Sequence, residues 1–248
     1  MSFTLDPYVA NYLNQNSQII DKEDFEELYK NFLNPSVPAE ETSNMTAALY
    51  IAGIDPLERS NKVFSYMFYS FPSGILPSSY KIPPQIQRIE ESAFMYSMFE
   101  ELIFPQALTN IDANSCLGMK ALKRVVFSPY SKIEYIGDGA FLALKNLQNF
   151  IMPKSCKKIG DGAFWQCAGL DTHLKLPEDL QTVGRSAFLG TQIETVEFGP
   201  NLRAISQQPF VGCENLKEII IPRSSFDRLR GNVEKRLTAG NNAKVIVV

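Results

Sequence analysis

One short pattern recurs six times along this chain, and a recurring unit too small to bury its own core constrains the fold more than any other feature. The blocks IEESAF (89–94), IDANSC (111–116), IGDGAF (136–141 and 159–164), VGRSAF (183–188) and ISQQPF (205–210) place their sixth residue at 94, 116, 141, 164, 188 and 210. The intervals are 22, 25, 23, 24 and 22 residues. Each block leads into a strand-like stretch closed by proline: FEELIFP, LKRVVFSP, LQNFIMP, LDTHLKLP, IETVEFGP and LKEIIIP, with prolines at 105, 129, 153, 177, 200 and 222. Proline cannot donate to a strand ladder, so it belongs where the strand ends and the chain turns. Six such units must stack to share one core.

Within a unit the strand pattern L-x-x-I-x-I-P sends alternate residues inward and outward. In the last copy Leu216, Ile219 and Ile221 point in, and Glu218 and Ile220 point out. The Ile-Gly-x-x-Ala-Phe block supplies a second inward set, with glycine at a tight bend and small alanine allowing close packing. Phe94, Phe141, Phe164, Phe188 and Phe210 are expected to form a stacked aromatic spine.

These residues resemble a known family. IGDGAFWQCAGL (159–170) followed by LKLP, and IPPQIQRIEESAF (82–94), are similar to the BspA-type leucine-rich repeats over about residues 82–222. The resemblance implies an α+β solenoid, a right-handed coil with a parallel β-sheet face, used to bind proteins or surfaces rather than for catalysis. Three positions depart from the pattern: Ser115-Cys116 replaces Ala-Phe, Pro209 replaces Ala, and the fifth copy is short around Leu189-Gly190-Thr191. Many relatives are secreted adhesins. No export leader opens this sequence, so the expected location is intracellular or within a viral particle.

The two ends are different material. Residues 1–79 show helical spacing at Phe25, Leu28, Tyr29 and Phe32, at Met45, Ala48, Leu49 and Ala52, and at Phe64, Met67, Phe68 and Phe71. This predicts an α-helical N-terminal domain of three amphipathic helices, with a shorter one from about Asp6 to Asn14. Near the other end Ser224-x-x-Asp227 predicts one helix carrying Phe226, Leu229, Val233 and Leu237, closed by Gly240, before a last strand over 244–248. The expected division is a head of 1–79, a six-copy solenoid of 80–222 and a helix–strand cap of 223–248.

Composition narrows the function. With 45% apolar and 21% charged residues the chain is not disordered, and a net charge of −3 gives no reason to expect nucleic acid. No apolar run reaches the roughly 20 residues of a membrane span. Charge is uneven: −6 over residues 1–79, −1 over 80–222 and +4 over 223–248. An acidic head and a basic tail suit head-to-tail self-association.

Catalytic constellations are hard to assemble from these residues. The single histidine, His173, lies in the fourth strand segment, where LDTHLKLP is one residue longer than LKEIIIP, and reads as a surface or bulge residue. Gly-Asp-Gly at 137–139 and 160–162 lacks the Lys-Ser/Thr of a phosphate loop and reads as a coil bend. Cys116, Cys156, Cys167 and Cys213 have no metal-type spacing and read as reduced structural thiols. Asn44-Met45-Thr46 is a glycosylation sequon expected to stay unmodified. No cofactor is expected.

One surface stands out. The outward position beside the last inward strand residue runs Ile103, Val126, Ile151, Lys175, Glu197 and Ile220, next to a row of Glu101, Arg124, Asn149, Thr195 and Glu218. At about 4.8 Å per strand, the six span roughly 24 Å, wide enough for a partner's helix or loop. The expected function is a non-enzymatic protein-interaction module that displays this face. The alternative is a structural or docking component of a larger assembly such as a virus (phage) particle.

Overall fold

A computed structural model describes residues 38–51, 55–57, 60–71, 73–74 and 76–248. Most coils contribute two short parallel strands on different sides of a shared core. One side is a seven-stranded sheet in the order β1 (Lys62–Val63), β3 (Arg88–Ile89), β5 (Asn110–Ile111), β7 (Tyr135–Ile136), β8 (Lys158–Ile159), β10 (Thr182–Val183) and β12 (Ala204–Ile205). Opposite it run β2 (Ser79–Lys81), β4 (Glu101–Phe104) and β6 (Arg124–Phe127), and then, as a separate sheet, β9 (His173–Lys175), β11 (Thr195–Glu197), β13 (Glu218–Ile221) and β14 (Lys244–Val247). All pairings are parallel, because every coil returns to the same point one layer further on.

The core lies between these sheets. Phe164 stacks on Phe141 at 5.5 Å and on Phe188 at 5.5 Å, and Phe188 stacks on Phe210 at 5.4 Å. All are fully buried. Phe94 stacks instead toward the N-terminus, on Phe68 at 4.8 Å, because the next spine position is Cys116. Phe150 meets Phe141 and Phe164 edge-on at 5.2 and 5.1 Å, the geometry that suits the ring quadrupole.

One backbone device repeats in every coil, and a second in the three coils that carry Gly137, Gly160 and Gly184. The residues two before and two after the spine position adopt left-handed φ: Ser92 and Tyr96, Asn114 and Gly118, Gly139 and Ala143, Gly162 and Gln166, Ser186 and Gly190, Gln208 and Gly212. They bend the chain around its core residue. Gly184 serves a different purpose, since a Cβ there would stand 2.4 Å from the Gly160 carbonyl carbon. That position needs glycine because successive coils touch backbone to backbone. The Asp of Gly-Asp-Gly then ties coils together: Asp138 accepts the Asp161 N–H at 2.8 Å, and Asp161 accepts the Arg185 N–H at 2.6 Å.

The N-terminal region departs from the expected helical head. Helix α1 (Ala39–Ile51) is present, but it buries Thr42, Ser43, Thr46, Ala47 and Leu49. Of the expected face only Leu49 is among these; the Met45 and Ala48 side chains and Ala52 lie outside the described residues. The helix expected through Phe64, Met67, Phe68 and Phe71 is instead the first coil. Its strand β1 pairs with β3, its spine residue is Phe68, and Tyr66 and Ser70 carry the two left-handed φ values of 59° and 47°. The solenoid therefore begins near residue 60 rather than 80. The Tyr50 hydroxyl, 2.9 Å from that of Tyr80 and donating to Asp55 at 3.1 Å, fastens α1 onto this coil. The helices expected over 6–14 and around Phe25–Phe32 lie outside the described residues.

At the other end, one expected helix is two: α2 (Arg223–Arg228) and α3 (Val233–Thr238). Gly231, with φ 78°, lies between them, and Asn232 caps α3 by accepting the Lys235 N–H at 2.8 Å. The residue before α2 is Pro222, with no side-chain cap from Ser224 or Asp227. Val233 and Leu237 close the core, and β14 follows as expected.

Candidate partner-binding face

The strand registers place the outward residues in rows across the stack. Ile103 faces Val126 on adjacent strands, and Lys175, Glu197, Ile220 and Ile246 form a second, unbroken row. Ile103 and Val126 are half-buried because both line a groove of about 560 Å³ at the strand ends. The turn-forming Pro84, Pro105 and Pro129 and the half-buried Phe127 form its other apolar walls, while Lys81 and Lys132 also line it. Sequence reasoning treated Pro105 and Pro129 as strand terminators only and did not single out Pro84. The recurrence of proline near the strand ends was the available signal that these residues also build a surface.

The expected continuity from Val126 to Ile151 is absent. Asn149 takes a left-handed φ of 51°, and Phe150 bridges to Leu170, donating its N–H to the Gly169 carbonyl at 2.8 Å. The extra residue in Asp171-Thr172-His173 shifts the fourth coil's strand along the chain. Segment 148–152 then has no ladder partner in register, and the face divides into two sheets. Ile151 stands at this division, 78% exposed, above a second cleft between segments 147–151 and 168–172.

The polar row is largely self-paired. Arg124 Nε lies 3.2 Å from Glu101 Oε1, Lys175 Nζ 3.4 Å from Glu197 Oε1, and His173 Nδ1 2.7 Å from Thr195 Oγ1. Each links neighbouring coils, as do Glu100–Lys123, Glu134–Lys157 and Glu194–Lys217 on the adjacent row. The Lys217 ammonium holds the Glu194 carboxyl below its ordinary range. Pairs this exposed are screened by solvent and add little stability, so their main effect is on the register between coils. Asn149 and Glu218 are exposed on the same row.

Elsewhere, burial pushes the thiols of Cys116, Cys156 and Cys167 up, the latter two to about 12. Cys213 also lies high, donating to the Phe188 carbonyl at 3.0 Å. All four cysteines are free and buried. Among the described residues, no cluster of His, Cys, Asp or Glu could hold a metal ion, and no helix is long and apolar enough to cross a membrane.

Stacked parallel coils, a shared aromatic core and a sheet face of paired charges beside an apolar groove define a leucine-rich-repeat solenoid. The family model described as the BspA type leucine rich repeat region matches residues 56–171 and 134–233, with six copies. The chain belongs to that family. The match starts upstream of residue 80, in agreement with the coil around Phe68. No curated protein matches the chain. Among solved structures, a leucine-rich cell surface protein of Faecalibacterium prausnitzii A2-165 is similar at a TM-score of 0.50 and 18% identity, over 66% of this chain and 51% of that one. A leucine-rich repeat protein of Eubacterium ventriosum has a TM-score of 0.44 at 20% identity, over 51% of this chain and 33% of its own. The pneumococcal vaccine antigen PcpA has 0.39 at 21%, over 66% and 56%. The chain thus spans about half the length of the first of these, and the likeness is one of fold.

Proposed function

We propose that this protein is a non-enzymatic interaction module that binds a protein partner on the face formed by β2, β4 and β6. The observation that supports this most directly is the groove beside Ile103 and Val126: apolar walls on rigid turns, with lysines among its lining residues. A preformed site of this kind binds with little ordering cost, which is the advantage of a solenoid scaffold. The charged residues nearby pair with one another across coils, an arrangement that suits a surface better than a reactive centre.

The test is an affinity capture from the native source with wild type beside the double variant Ile103→Asp, Val126→Asp, after circular dichroism confirms that both fold. A partner retained by wild type and lost by the variant is the expected result. Equal capture by both would remove the groove as the binding surface. Turnover of a generic ester, phosphate or glycoside would overturn the non-enzymatic reading.

A further inference from the structure

On the reading that the groove beside Ile103 and Val126 is the binding surface, we propose that its resting occupant is residues 21–33 of the same chain, and that an outside partner binds by displacing them.

The groove sets the chemistry of what fills it. Its apolar walls include Ile82, Pro84, Ile103, Pro105, Val126 and Phe127, and its charged lining residues are Lys81 and Lys132, with no carboxylate among them. Both lysines are exposed, and neither ammonium has an ion-pair partner among the described residues, unlike Lys123, Lys175 and Lys217, which pair with glutamates of adjoining coils. Two uncompensated cations at an apolar slot of about 560 Å³ call for an acidic segment that also carries large apolar side chains.

The chain holds such a segment outside the described residues. Residues 1–37 carry six acidic and two basic side chains, and five of those acids, Asp21, Glu23, Asp24, Glu26 and Glu27, fall in one run. Interleaved with them are Phe25, Leu28, Tyr29 and Phe32, at the i, i+3, i+4 and i+7 spacing with which an amphipathic segment presents anchors to an apolar groove. Charge and anchors complement the groove together.

Reach is sufficient. Tyr50, near the end of α1, is hydrogen-bonded to Tyr80 of β2, and Lys81, the next residue of that strand, lines the groove. The 13 residues of α1 span about 20 Å. The linking residues 34–38 add at most about 18 Å. The groove crosses β2, β4 and β6, only about 10 Å from the first strand to the third. A tether this short holds the segment at an effective concentration on the order of millimolar, so a contact of sub-millimolar strength stays mostly filled.

Zero-length carbodiimide coupling of the full chain, read by peptide mass spectrometry, is the test, because it joins a carboxylate only to an ammonium it touches. Isotope-labelled and unlabelled chains are mixed at low concentration, so that links within one molecule are told from links between two. The ion pairs Glu134–Lys157 and Glu194–Lys217 serve as internal controls for the chemistry. The expected links join the carboxylates of residues 21–27 to Lys81 and Lys132 within one molecule. Leu28→Asp with Phe32→Asp should lower their yield about tenfold or more even though it adds acid, since each buried anchor of that size is worth about that factor. Undiminished links in this variant would reduce the contact to charge alone and overturn the proposal. So would links spread evenly over Lys145, Lys235 and Lys244, links of mixed isotope that place the segment on a second copy, or no links to the groove lysines. Capture from the native source separates the two readings. Groove links absent while Ile103→Asp, Val126→Asp loses its partner would overturn the self-docking alone. Groove links present while that variant captures as wild type does would support the self-docking and remove only the outside partner.

Discussion

The backbone contact between coils can be tested by placing one methyl group in two different parts of the coil. In Gly184→Ala the new Cβ would lie 2.4 Å from the Gly160 carbonyl carbon and 2.5 Å from both the Gly160 oxygen and the Asp161 nitrogen. None of these atoms can rotate away. Reaching the 3.4 Å of ordinary contact requires the two coils to part by about 1 Å. The bonds that hold them at this point are Gly184 N–H to the Ile159 carbonyl at 2.9 Å and Arg185 N–H to Asp161 at 2.6 Å. Overpacking costs about 1–3 kcal/mol and each of the two weakened bonds up to about 1 kcal/mol, for a total loss of up to about 5 kcal/mol. In Gly190→Ala the nearest atom, Gln166 Cγ, is 3.6 Å away, and only the φ of 67° is unfavourable. That substitution should cost about 1–2 kcal/mol. Urea unfolding followed by circular dichroism, with midpoints compared at equal slope, measures both. If the two variants fall within about 0.5 kcal/mol of each other, the coils do not touch as described.

Two further outcomes follow from the core. Phe164→Ala removes a ring that stacks on both Phe141 and Phe188 and meets Phe150 edge-on, and should cost about 3–5 kcal/mol in the same urea assay; a loss below about 1 kcal/mol would mean the spine is not continuous there. Burial raises the Cys116, Cys156 and Cys167 thiols and the Tyr50 and Tyr80 phenols, so the folded chain holds these protons more tightly than the unfolded one. Their contribution is fully present below about pH 8.5 and is lost as pH rises past the unfolded values toward the raised folded ones. Urea midpoints should fall steadily above about pH 9, and the thiols should react with a disulfide reagent at neutral pH only once the chain is unfolded. Rapid native-state labelling of all four would contradict their burial.

Much of the repeat architecture was legible in the amino-acid pattern because a stacked coil imposes the same demands on every copy. Ile, Ala, Phe and the strand alternation recur since each must face the one core, and their spacing set the coil length before any contact was known. The first coil escaped notice for a physical reason. Ala-Phe-x-x-Cys places buried residues at i, i+1 and i+4, and in the Met67-Phe68-x-x-Phe71 version, preceded by Phe64, the same positions satisfy a helical period. Phe64 also stands where other copies carry the glycine of the pattern, as at Gly160 and Gly184. Only pairing of β1 with β3, and left-handed φ at Tyr66 and Ser70, separates coil from helix.

The candidate face was readable as a set of outward positions, but not as a surface. Which outward residues adjoin depends on register between coils, and register is a property of two segments rather than one. A single extra residue in Asp171-Thr172-His173 was visible in the sequence; its effect, the division of the sheet at Phe150 and the isolation of Ile151, required the neighbouring coil to be in place. The groove arises likewise from prolines of successive coils that are distant in sequence and adjacent only after stacking. The sequence by itself determined the unit, its inward residues and the need to stack. The tertiary structure decided where stacking begins, where its sheet divides and which outward residues adjoin, because each depends on hydrogen bonds and contacts between coils that no single repeat contains.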